Sequence, residues 1–410
     1  MVYQKQKILL VTHQFTPHQS PRTTRWSLIV DELLRLGHKV TVVTGTKQEV
    51  QNKDIEIIYI GNKRSNNVVK NLREKSNNID DKSKTKKVFF IFLKKIYRFS
   101  IKILAWPDYS MFWLLSVYRS RKNLILDYDL LISVSLPFSS HIAGYIINKK
   151  NKKDWIMDNG DPFTLKKDAP ENNKILYGFL NKYFENKFYS LANKIVFTHQ
   201  DSMDLHKDFF NISKDKLIVG NPISNFDNEI FLKTLNYNYD SLPIKLGYFG
   251  IFTKGVRSPN NFLKLFKDVN DIELHWYTNQ DSKDEIKVKN IKSKNIFNSI
   301  VSRDEALNLM STSVHCLLSI GNLNIAQLPS KVIEYLSTGK PVVHFAEVDE
   351  DPVIKIANDF DNLFIITEMT DLESFFNELK LYFGKVSTFK KDFFIDKYSA
   401  SSLIKTLNLS

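Results

Sequence analysis

Residues 323–346 read LNIAQLPSKVIEYLSTGKPVVHFA, and the order of features in that stretch organises the reading of the whole chain. Leu328-Pro329-Ser330 closes an irregular loop. Proline in a first turn and serine as a cap suit the start of a helix over 331–337. Gly339 stops that helix, since glycine takes a left-handed C-terminal cap without strain. Pro341 blocks its continuation, and Val342-Val343-His344-Phe345 follows as a short apolar strand. Backbone N–H groups and the dipole at the start of such a helix, near Ser330, favour an anion such as a diphosphate. Lys331 adds a positive charge in the first turn. Glu334 lies three residues on, on the same face, and can accept two hydrogen bonds from a ribose. A surface Lys–Glu pair fits the same spacing.

Outward from this stretch, strands and helices alternate in both directions. Residues 8–12 read as a strand and 13–20 as a polar loop without glycine. A helix over 21–36 follows, with Gly37 as its stop, then strands at 40–44 and 55–60. This is the β-α-β opening of a parallel sheet. Further strands fall at 129–135, 154–158 and 194–198, with a helical pattern over 171–191. In an open α/β sheet, ligands lie at the carboxyl ends of strands. Arg22 and Arg25 in the first helix either face such a ligand or are ordinary surface arginines. Asp158 and Asp161, in WIMDNGDPF (155–163), sit at that edge. They can orient an acceptor hydroxyl or supply a base, or else hold an Asx-turn.

Residues 224–243 are polar, lack apolar periodicity and read as a linker. Strand patterns then resume at 244–249, 273–277, 314–319 and 363–366. The loop 250–259 carries Gly250, Lys254 and Arg257. A guanidinium can pair two phosphate oxygens and an ammonium adds a point charge, although a plain basic turn has the same composition. Ser302 with Glu305 three residues on reads as a capping box.

Composition narrows the class. A chain of 410 residues accommodates two ordinary domains, and 43% hydrophobic with 25% charged residues is globular. The one cysteine, Cys316, lies in an apolar run; it excludes an intrachain disulfide and reads as a core thiol of a reducing compartment. No Cys/His spacing suits zinc. The N-terminal apolar run, 8–11, is too short for a signal peptide, and no stretch reaches the ~18 apolar residues of a membrane span. The formal charge of +13 calls for an anionic partner. Nothing resembles a nucleic-acid module, so no nucleic-acid partner is expected. Residues 62–87 read as a polar loop. Between 82 and 102 there are eight Lys/Arg and no acid, interleaved with aromatics. The segment 82–122 is expected to meet an anionic membrane surface, with an amphipathic helix covering its own sheet as the alternative.

The run Pro329–Val343, PSKVIEYLSTGKPVV, resembles the donor-nucleotide motif of retaining GT-B glycosyltransferases of family 4. That motif has two glutamates separated by seven residues and then G-x-P. Glu334 matches the second, which binds the ribose in the family. Ala326 stands where the first would fall, with Asn324 and Gln327 nearby. WIMDNGDPF is similar to a D-x-x-D-P-W stretch, with Phe for Trp. VGNPI (219–223) is similar to the V-x-N-P-I/V exit from the family's first domain. The resemblance implies an α/β GT-B fold of two Rossmann-like domains facing a central cleft. Its parts would be an acceptor domain over 1–222, a linker over 223–243, a nucleotide-sugar domain over 244–385, and a C-terminal helix within 386–410 crossing back.

The implied activity is retaining, metal-independent transfer of a hexose from a UDP- or GDP-sugar to an acceptor hydroxyl. The implied acceptor is a glycan or polyprenyl-linked oligosaccharide in bacterial capsule, lipopolysaccharide O-antigen or exopolysaccharide synthesis, at the inner face of the cytoplasmic membrane. Donor contacts would come from Gly250, Lys254, Arg257, Ser330, Lys331 and Glu334, and catalytic carboxylates from Asp158 and Asp161. No metal site and no cofactor beyond the donor is expected. Two alternatives stay open: a non-hydrolysing, epimerase-like GT-B enzyme, and, with Ala326 in place of the glutamate, a peripheral membrane binding protein whose catalytic site has decayed.

Overall fold

The computed structural model describes all residues except 1–4, 17–19, 48–53, 62–102, 125, 167–169, 254, 289–291 and 324–327. The chain divides into two compact units, 1–220 with 406–410, and 221–405.

In the first unit, β1 (Lys7–Val11), α1 (Pro21–Arg35), β2 (Lys39–Thr44) and β3 (Glu56–Tyr59) open the fold. Then come α2 (Met111–Ser120), β4 (Leu130–Ser135), α3 (Ser139–Asn151), β5 (Asp154–Asn159) and α4 (Lys174–Leu191). The unit continues with β6 (Lys194–Phe197), α5 (Gln200–Phe210) and β7 (Leu217–Val219). The sheet order among the described residues is β3-β2-β1-β4-β5-β6-β7, every pair parallel. Helices on both faces explain why β4 is buried along its whole length rather than alternating. Ser20 caps α1 reciprocally with Thr23, which fixes the direction in which the helix leaves β1. Leu9, Val11, Leu131, Phe138, Trp155, Met157, Phe188 and Phe197 share one core. The chain terminus returns here: His38 Nε2 meets the Leu409 carbonyl at 2.8 Å, and Lys194 Nζ donates to that of Leu407 at 3.2 Å.

The second unit begins with a helix where a linker was expected. In α6 (Asn228–Leu235), Asp227 accepts from the Glu229 and Ile230 amides, and Ile230 and Thr234 are buried. Four of its eight residues are apolar, Ile230, Phe231, Leu232 and Leu235, and Lys233 donates to Asn308 at 2.8 Å. The following elements are β8 (Ile244–Phe249), α7 (Asn260–Leu265), β9 (Ile272–Tyr277), α8 (Gln280–Lys287) and β10 (Lys294–Asn298). After these come α9 (Arg303–Thr312), β11 (Cys316–Ile320), α10 (Ser330–Leu336), β12 (Val342–Phe345), α11 (Pro352–Ala357) and β13 (Leu363–Ile366). The last helices are α12 (Leu372–Phe383), α13 (Lys391–Tyr398) and α14 (Ala400–Thr406). The sheet is again parallel, in the order β10-β9-β8-β11-β12-β13.

Both units thus carry the 3-2-1-4-5-6 order of a dinucleotide-binding sheet, the first extended by β7. Each has two Rossmann-like features: parallel β-α alternation and a reversal of strand order beside its first strand. No helix among the described residues is long and apolar enough to cross a membrane.

The opening stretch folds almost as read. Gly339 takes φ +73°, and a Cβ there would lie 2.5 Å from the Phe231 ring. One boundary differs. Pro329, extended at φ −63° and ψ 113°, occupies the cap position, so Ser330 is the first helical residue and no side chain caps α10.

Candidate functional site

In the second unit the strand order reverses between β8 and β11, the point at whose carboxyl edge open α/β sheets bind ligands. The loops after the two strands are tied together. The Leu323 amide donates to the Val256 carbonyl at 2.8 Å, and Arg257 Nη2 donates to Asn322 Oδ1 at 2.9 Å. The left-handed turn in the first loop falls at Gly255, φ +80°, and not at Gly250, where a Cβ would press on the Tyr248 phenol at 3.2–3.4 Å. Gly321 is the glycine that packing demands. A Cβ on it would stand 2.3 Å from Asp351 Oδ2 and 3.1 Å from the Phe345 carbonyl. Lys254 lies outside the described residues, as do Asn324, Ala326 and Gln327.

Glu334 is the centre of the cluster. Arg303 Nε donates to its Oε1 at 3.0 Å and Lys331 Nζ to its Oε2 at 2.8 Å. Burial works to raise this carboxyl, but Lys331 and Arg303 outweigh it and hold the pKa below the ordinary glutamate value. The next residue, Tyr335, is fully buried. Its hydroxyl accepts from the Phe249 amide at 2.9 Å and donates to the Phe249 carbonyl at 3.2 Å. Burial raises that phenol, and the charges of Glu334 and Arg257 both act on it. Tyr335 therefore pins α10 to the end of β8. Ser330 and Lys331 are half-buried at the start of the same helix.

Sequence reading passed over Arg303 as part of a helix start. Only the fold shows that its side chain reaches across to a carboxylate 31 residues away. A further carboxylate lies beyond β12: Glu347 accepts from Asn261 Nδ2 at 2.9 Å. Burial, with help from Glu368 and Asp351, pushes its pKa up.

In the first unit, Asp158 and Asp161 part company. Asp158 is 1% exposed. One of its oxygens faces Arg25 Nη2 at 3.4 Å and the other accepts from the Trp26 indole. Arg25 is itself buried, so it anchors α1 to β5 rather than facing a ligand, and Asp158 is held as its counter-ion. Asp161 is the accessible carboxylate, paired with half-exposed Arg22 at 3.1 Å. Phe163 belongs to the core and stacks on Phe138 with centroids 4.1 Å apart.

Behind this edge, Asp108 is fully buried and accepts from the amide and hydroxyl of both Ser110 and Ser139. Burial raises its carboxyl against those bonds. His141 bridges Ser133 and Asn159, and burial lowers its imidazole to about 3. It is a neutral, structural histidine.

No protein-family model matches the chain, and no curated protein matches it in sequence. Solved structures do match its fold. An alpha-glucosyltransferase in complex with UDP and a 13-mer DNA containing a HMU base aligns at TM-score 0.58 and 13% identity, over 99% of each chain. A putative UDP-N-acetylglucosamine 2-epimerase from Listeria monocytogenes aligns at 0.53 and 12%, over 99% of this chain and 96% of that one. AviGT4, a glycosyltransferase involved in Avilamycin A biosynthesis, aligns at 0.51 and 11%, over 98% and 96%. The fold is that of the GT-B glycosyltransferases, which it shares with nucleotide-sugar epimerases.

Proposed function

We propose that the protein is a glycosyltransferase that binds a nucleoside diphosphate sugar in its second unit and passes the sugar to an acceptor hydroxyl. The observation that carries this is Glu334, a half-buried carboxylate kept ionised by Arg303 and Lys331 at the reversal point of a 3-2-1-4-5-6 sheet. A charged acceptor in a partly buried position suits a ribose diol, because hydrogen bonds to ionised groups are stronger than neutral ones. The diphosphate would meet Arg257, Lys254 and Lys331. Cationic donors aimed at the departing diphosphate stabilise charge that grows in the transition state. Retention at the anomeric carbon follows the sequence resemblance.

On the acceptor side, Asp161 with Arg22 is the pair able to orient a hydroxyl, while Asp158 keeps α1 in place. The acceptor in this reading is a polyprenyl-linked glycan of bacterial surface polysaccharide synthesis. The protein would be cytoplasmic and bound peripherally at the inner membrane face, and the basic aromatic segment 82–122 would contribute to attachment.

A melting-temperature screen against UDP-, GDP- and other nucleotide sugars tests the donor half. A ligand at a hundred times its dissociation constant adds about 2.7 kcal/mol. Stabilisation by one nucleotide class, followed by transfer of labelled sugar to a lipid-linked acceptor, is the expected result. A flat screen defeats the proposal. The epimerase neighbour favours a second reading, in which the nucleotide sugar turns over with no acceptor added.

A further inference from the structure

Helix α4 carries an apolar stripe on its exposed side as well as core aromatics on its buried side. Ile175 is 96% exposed, Phe179 81%, Leu176 57% and Tyr183 52%. At about 100° per residue these positions fall within one arc of about 100°. The buried side of the same helix sets two polar residues, Asn181 and Glu185, beside the core aromatics Phe188 and Tyr189. Asn181 accepts from the Trp106 indole at 3.0 Å and exchanges amide bonds with Asn172. Glu185 accepts from the Tyr189 hydroxyl at 2.8 Å and the Thr164 amide at 3.1 Å. A surface helix of a soluble domain ordinarily turns its apolar stripe inward. Leu104 is exposed as well, 67%, and its carbonyl accepts from the Tyr177 hydroxyl at 3.1 Å. Contiguous exposed apolar surface of this kind marks an interaction site.

Charge selects the occupant. The helix carries Lys174, Lys182 and Lys187 and a single acid, the buried Glu185. The Lys182 and Lys187 ammonium groups lie 4.7 and 5.0 Å from the Phe209 and Tyr145 ring centres, and at about 100° per residue both positions border the apolar arc. A second copy docked on this face would bring lysine against lysine. An anionic lipid surface would instead accept the apolar side chains and neutralise the lysines. We propose that the outward face of α4 is a membrane-docking surface, with Ile175, Leu176 and Phe179 entering the headgroup boundary of an anionic bilayer. The assignment gives the peripheral attachment suggested above a location on described residues, and it is independent of the donor chemistry.

The test is sedimentation of the full chain with phosphatidylcholine–phosphatidylglycerol vesicles and with pure phosphatidylcholine vesicles. The wild type should bind the anionic vesicles preferentially. I175E/F179E should lower partitioning at least tenfold, and K182Q/K187Q by about fivefold per lysine with a weaker salt dependence. Both variants should keep the wild-type melting response to nucleotides, which separates this result from the fate of the donor reading. As a second measurement, Phe179→Cys labelled with an environment-sensitive fluorophore should shift to the blue on anionic vesicles; Cys316 is buried and escapes the label. Wild-type sedimentation of I175E/F179E, or an unshifted label, overturns the proposal. So does a concentration-dependent dimer in light scattering that the same double variant abolishes.

Discussion

Glu334→Gln keeps the shape of the side chain and removes its charge. In the folded protein each carboxylate oxygen already has a cation, Arg303 at 3.0 Å and Lys331 at 2.8 Å. The Lys331 side chain is 41% exposed, so solvent screens that pair, and the loss of stability should be modest, about 1–2 kcal/mol. Binding should suffer more. A hydrogen bond to a charged acceptor is worth about 1.5–3 kcal/mol. Glutamine retains one carbonyl acceptor, so roughly one such bond is lost, and Kd for UDP or GDP should weaken about 10- to 100-fold. Titration calorimetry with three probes isolates the cause. The full nucleotide should bind more weakly, a 2′,3′-dideoxy nucleotide diphosphate should be unaffected, and inorganic pyrophosphate should bind equally or better because Lys331 loses its competing anion. An equal penalty for the dideoxy nucleotide, or none for the ribonucleotide, would refute the assignment of Glu334 to the ribose. The pH sign agrees with the geometry. The pKa of Glu334 is lowered on folding, so its stabilisation is complete above the ordinary glutamate value and disappears as pH falls through the folded one.

Four further outcomes are expected. Lys340 is wholly buried, donates to the Val314 carbonyl at 2.7 Å and sits 3.4 Å from the Tyr237 ring centre; burial brings its amine down to about 7. From there up to the ordinary lysine value the unfolded chain holds a proton that the folded one lacks, so stability rises with pH over that interval. Lys340→Met should flatten the rise in urea denaturation at neutral and alkaline pH. Asp158→Asn should cost on the order of 3–5 kcal/mol, because it takes the counter-ion from a buried arginine. Asp161→Asn should leave the melting temperature nearly unchanged and reduce turnover with acceptor, so the two variants together separate scaffold from chemistry. Gly321→Ala should destabilise by about 1–3 kcal/mol in thermal melts, since its Cβ would collide with Asp351 and with strand backbone.

Local signals carried much of the architecture. The apolar run at 342–345 became β12 with those limits, and Gly339 has the positive φ that its place after a short helix required. Alternating helical and apolar periods in both halves specified parallel α/β units, because parallel strands need helical crossovers. The helix at 228–235 has four apolar residues in eight, but Leu232 and Leu235 stay exposed, and about two turns are too short for a helical period to show. Site chemistry was legible only as residue types. Glu334 and Lys331 are one helical turn apart, and backbone geometry alone makes them neighbours. Arg303 joins them through sheet packing, and Arg25 and Trp26 close over Asp158 from more than 130 positions away. In α4 the inward side joins Phe188 and Tyr189 to the core, and Trp106, Asn172 and Thr164 give Asn181 and Glu185 the partners that burial demands. Period is a property of the backbone and can be read from the chain in order; partnership depends on which distant groups the fold brings within hydrogen-bond reach.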